Sequence, residues 1–117
     1  MDNGVVKLVG GTDTQGQGEQ TAYDALVAQY MAAAEQGCSE ALFDLGMVYS
    51  TGAHGLTVDL IEAHKWFNLA AVRGQESAAN CRADISDDMT AREISEAQRR
   101  AREWLRASAD RAARRVA

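Results

Sequence analysis

The 117-residue sequence has no proline, and alanine and straight-chain side chains dominate it, so helix is favoured over strand throughout. It also has no run approaching the ~18 consecutive apolar residues that a membrane span needs. The opening stretch MDNGVVKLVGGTDTQGQG lacks both a basic n-region and a sustained hydrophobic segment, so it does not read as a secretory signal. Cysteine is scarce: Cys38 and Cys81 make no disulfide framework, and without a signal they are expected to stay reduced. What remains is a chain long enough for one domain with a modest core. The expectation is a soluble, cytoplasmic, all-α protein.

The net charge of −5 conceals a division. Residues 1–89 carry 4 Lys/Arg against 13 Asp/Glu, or −9, whereas residues 90–117 carry 8 Arg against 4 Asp/Glu, or +4. Such asymmetry marks either a polyanion-binding tail or two halves that attract each other. Glutamates punctuate the arginines, which favours internal pairing.

An internal echo organises the rest. Shifted by 37 positions, Phe67 falls on Tyr30, Ala70 on Ala33, Ala71 on Ala34, Gly74 on Gly37 and Ala78 on Ala41. A period of a few tens of residues is how stacked repeats appear in sequence. Residues 1–18 precede the periodic region and are expected to form a flexible arm, although the VVKLV island can instead add a strand to a partner.

From Thr21, apolar residues at Tyr23, Leu26, Tyr30, Ala33 and Ala34 recur at three- and four-residue steps and predict a helix ended by Gly37. Ser39 is then placed to cap a second helix carrying Ala41, Leu42, Leu45, Val48 and Tyr49. Gly46 within it implies that a neighbouring helix passes close. Asp59 and Glu62 form a capping-box-like start for a third helix with Ala63, Trp66, Phe67, Ala70 and Ala71 on one side. A weaker helix spans 76–85. The TARE sequence at 90–93 then opens a long one bearing Ile94, Ala97, Ala101, Trp104 and Leu105.

From Tyr49 to Gly74 the chain spells Tyr-x-x-Gly-x-x-Gly-Leu-x-x-Asp-x-x-x-Ala-x-x-Trp-Phe-x-x-Ala-Ala-x-x-Gly. This resembles the Sel-one-like repeat, a relative of the tetratricopeptide repeat. The resemblance covers about residues 21–85 and implies a short α-solenoid of two helix-turn-helix repeats within 19–89. Residues 90–117 would be its C-terminal capping helix, with Glu96, Ala97, Ala101 and Trp104 matching the Glu-Ala-x-x-x-Ala-x-x-Trp ending. Two departures stand out. Ala53 and His54 sit between glycines that one residue usually separates, and SAANCRADIS lacks the Leu-Gly and Tyr of a complete second B helix. The array is expected to stop there, and two units need either the last helix or a second copy of the chain, as a homodimer, to cover their open face.

Chemistry-bearing clusters are few. His54, His64, Cys38 and Cys81 show no ligand spacing, so no metal or cofactor is expected. The glycines lack the Lys-Ser/Thr of a phosphate loop, and no nucleophile motif accompanies the Cys/His combination, so the chain does not read as an enzyme. Arg99, Arg100 and Arg106 offer a basic surface for nucleic acid, but the acidic balance and the absence of a reading motif disfavour it. The resemblance implies instead an adaptor or scaffold that binds a partner protein in the groove beside its first helices. The candidate contacts are Val27, Met31 and Glu35 on the first unit with His64, Lys65, Asn68 and Val72 on the second.

Overall fold

A computed structural model describes Ala22 and residues 24–116 of the chain. These fold into five α-helices with no strand among the described residues: α1 over 24–35, α2 over Ser39–Thr51, α3 over Leu60–Val72, α4 over Glu76–Ser86 and α5 over Ala91–Val116. A short 3-10 turn, Ala53–Gly55, links α2 to α3. The arm expected over 1–18 and its VVKLV island lie outside the described residues.

Local chemistry explains the boundaries. At the start of α3, Asp59 Oδ1 accepts the Glu62 backbone N–H at 3.1 Å. At the start of α5 the box is reciprocal: Thr90 Oγ1 accepts from the Glu93 N–H at 3.1 Å, and Glu93 Oε1 accepts from the Thr90 N–H at 2.8 Å. Each bond satisfies a backbone donor that has no partner within the helix. Ser39, expected to cap α2, is instead its first helical residue, and Cys38 occupies the cap position without a side-chain bond. The reason is the tightness of the junction. The Cys38 N–H already closes the end of α1 on the Ala33 carbonyl at 3.1 Å, so one residue serves both helices.

α3 is the centre of the molecule and packs against α2, α4 and α5. Leu42 and Leu45 of α2, Trp66, Phe67 and Leu69 of α3, and the small Ala34, Ala63, Ala70, Ala78 and Ala101 make the core. Gly46 is the closest approach of α2 to α3. A Cβ there would lie 2.5 Å from Phe67 Cε1, far inside van der Waals contact, so a glycine is required. Phe67 also meets Phe43 at 5.7 Å between ring centroids. α5 closes the opposite side of α3 with Ala97 and Ala101 fully buried and Trp104 set edge-on to Trp66 at 4.8 Å. Leu105, expected on the same buried face, is 37% exposed. It lies one step round the helix from Trp104, beyond the edge of the contact with α3. From there α5 runs on to Val116, so the 26-residue helix overhangs the core.

Candidate recognition surface

Gly37 and Gly74, which follow α1 and α3, take left-handed φ values of 87° and 99°. Around each, the same three backbone bonds recur 37 residues apart. Gln36, Gly37 and Cys38 donate to Ala33, Ala34 and Ala33 at 3.0, 2.9 and 3.1 Å; Arg73, Gly74 and Gln75 donate to Ala70, Ala71 and Ala70 at 3.1, 3.0 and 3.0 Å. This is the Schellman arrangement, in which a residue that tolerates positive φ lets the chain fold back on the last helical carbonyls. α1 and α3 therefore end in the same way. Arg73, at the end of α3, reaches the end of α1: its guanidinium lies 3.0 Å from the Cβ position of Gly37. A cation placed there complements the negative C-terminal end of α1.

The seven residues expected to line a groove divide sharply. Glu35 is exposed on α1, and Val72 on α3 is 63% exposed. Val27 and Met31 are half-buried and pack on the core, so they anchor α1 as well as facing outward. The remaining three are engaged within the molecule, contrary to the expectation of an open surface. His64 is only 3% exposed. Lys65 lies 4.1 Å from the centre of the Trp66 ring, and its Nζ pairs with Glu62 at 2.9 Å. Asn68 Oδ1 accepts from Arg82 Nη1 at 2.7 Å, which ties α3 to α4. The 37-residue shift equates His64 with Val27, but α3 has helices on three sides and leaves little of its surface open.

The arginines of α5 are spoken for to a similar degree. Arg99 bonds Glu96 at 2.6 Å and Glu103 at 2.7 Å, while Arg100 bridges Glu96 at 2.8 Å and Glu62 of α3 at 2.7 Å. The Arg99 and Arg100 guanidiniums hold the Glu96 carboxyl down at about 2. Burial alone would raise Glu62, but Lys65 and Arg100 together keep it below the ordinary carboxylate range. Sequence reasoning found the glutamates among the arginines but not Glu62, whose partner stands 38 positions away. It missed Arg82 as well, since nothing in SAANCRADIS marks that residue as a link to α3. Arg106 is exposed. Outward-facing side chains of Ala91, Arg92, Ser95, Glu96, Arg99 and Arg102 border a shallow open groove along α5.

Cys38 is exposed and Cys81 half-buried, both as free thiols. Among the described residues no group of three or more His, Cys, Asp or Glu side chains converges to hold a metal ion. His64 Nδ1 is buried and has no hydrogen-bond partner among the described residues. No helix among the described residues is long and apolar enough to cross a membrane. Comparison with protein-family models, with curated proteins and with solved structures finds no match.

Proposed function

We propose that the chain is a two-unit helical repeat of the Sel-one-like kind, a short α-solenoid capped by α5, and that it holds a partner protein. The observation that carries this reading is the repetition of three hydrogen bonds and a left-handed glycine 37 residues apart. Equivalent ends on α1 and α3 are what two stacked copies of one helix-turn-helix unit require. α5 supplies the cover that a third unit would otherwise give, through Ala97, Ala101 and Trp104.

The recognition face in this reading is narrower than the sequence suggests. It comprises Glu35 and Val72, flanked by the half-buried Met31 and Val27, where α1 and α3 end together. Exposed Val72 beside half-buried Met31 and Val27, with charged Glu35 at the margin, supplies the apolar centre and polar rim of a small interface. His64, Lys65 and Asn68 drop out as contacts and become supports of α3. The basic surface on α5 is the weaker alternative, because Glu96, Glu103 and Glu62 already neutralise Arg99 and Arg100 and leave Arg106 the free member of the trio. Free thiols at Cys38 and Cys81 fit a reducing, cytoplasmic setting. The reading assigns no catalytic step and no cofactor.

Co-purification from native cells tests it, comparing the wild-type chain with Glu35→Lys/Val72→Glu. Both side chains are exposed, so the fold should survive, and helical circular dichroism checks that it does. The partner band should vanish with the double variant. A band retained at wild-type strength places the binding surface elsewhere.

A further inference from the structure

His64 is the one fully buried polar or charged side chain among the described residues, and its Nδ1 has no hydrogen-bond partner. Four residues further along α3, Asn68 Oδ1 accepts from Arg82 Nη1 of α4 at 2.7 Å, which places the guanidinium one helical turn along from His64. We propose that His64, Asn68 and Arg82 form an acid-released latch between α3 and α4: a proton on His64 sets two cations against each other in the interface and frees α4.

The surroundings of the imidazole leave it no way to accommodate that proton. Burial, and then Arg82, the one charged group among the described residues that acts on it, push it below the ordinary imidazole range. On its own helix, Lys65 is turned to Glu62 and Trp66. From α5, Arg100 is committed to Glu62 and Glu96. From α2, Asp44 and Glu40 act on each other. Among the described residues no carboxylate, including Glu76 and Asp84 of α4 itself, acts on His64 to offset a positive charge.

α4 is the element least able to resist. Ala78 is its one fully buried residue, with Cys81 and Ile85 half-buried beside it. A new repulsion at Arg82 therefore falls on the helix with the smallest apolar anchor, and local opening follows the weakest unit. The sign follows from proton linkage. The folded state holds His64 neutral while the opened state lets it protonate at its ordinary value, so stability is full above about 6.5 and falls as the pH drops below it. The proposal is independent of the recognition reading.

Hydrogen exchange on the full chain at pH 7.5 and 5.5, corrected for intrinsic exchange, reads the latch directly. Opening of α4 amides should rise by up to about tenfold per pH unit below 6.5, ahead of α2 and α3. His64→Gln should remove that response. Arg82→Gln, which keeps a donor for Asn68, should weaken it. Unequal labelling of the two thiols by a dipyridyl disulfide gives a second readout, with Cys81 gaining on the exposed Cys38 as the pH falls. Equal α4 protection at both pH values, or an unchanged acid response in His64→Gln, overturns the proposal. Should His64→Gln fail to fold, an NMR titration of the wild-type imidazole decides: a midpoint at or above 6.5 refutes the latch, and a clearly lower one supports it.

Discussion

Replacing Gly46 by alanine sets two effects of opposite sign against each other. In a helix interior alanine is favoured over glycine by about 1 kcal/mol, so the change would ordinarily stabilise α2. Here the added methyl would lie 2.5 Å from Phe67 Cε1 and 2.9 Å from Cγ, separations that carbon atoms do not tolerate. Phe67 is 1% exposed and braced by Phe43, so its ring has nowhere to go. Overpacking of this kind costs roughly 1–3 kcal/mol, and so direct an overlap belongs at or above the top of that range. The expected net loss is about 2 kcal/mol, read as a lower urea midpoint at constant slope. A double-mutant cycle isolates the cause. With Phe67→Leu the ring is gone, and Gly46→Ala should recover most of its helical advantage, giving a coupling of about 3 kcal/mol. If Gly46→Ala raises the midpoint with Phe67 intact, the close passage of α2 over α3 is wrong.

Three further outcomes are expected. Trp104→Ala removes the edge-on contact with Trp66 and should cost about 3 kcal/mol by denaturant unfolding, the low end for a large aromatic because Trp104 is only partly buried. Thr90→Ala breaks one arm of the reciprocal box at the head of α5 and should cost about 1 kcal/mol, with fraying visible as faster exchange at the first turn. Glu62 has a folded pKa below its ordinary 4.5, so its pairing with Lys65 and Arg100 stabilises the fold above that value and is lost as the pH falls through the folded one. Glu62→Gln should accordingly flatten the acid limb of stability between about pH 5 and 3, measured by thermal unfolding.

The elements most legible in the sequence were those whose signals are local. Asp59 with Glu62, and Thr90 with Glu93, announce helix starts within four residues, and both form as the spacing implies. Gly46 was legible too, because a glycine in a helical pattern asks for a neighbour, and Phe67 is that neighbour. Ser39 misled because its cap role assumed a linker that the tight turn at Gly37 does not leave. The surface residues were least legible. Periodicity places His64, Lys65 and Asn68 beside the buried stripe, but whether that margin meets water depends on where α4 and α5 come to lie. Arg82 and Arg100 reach α3 across 14 and 38 positions, and no helical spacing encodes such distances. Leu105 failed for the complementary reason: its face is apolar, but α3 does not extend beneath it.

The central claim is that a partner protein docks where α1 and α3 end together. The most direct measurement is calorimetric affinity for the co-purified partner, compared among the wild type, Glu35→Lys/Val72→Glu and Arg106→Glu. The account predicts at least a tenfold loss for the Glu35/Val72 variant, near-wild-type binding for the arginine variant, and a weak dependence on salt. Normal binding by the Glu35/Val72 variant, with a steep salt-dependent loss for the arginine variant, would move recognition to α5 and contradict it.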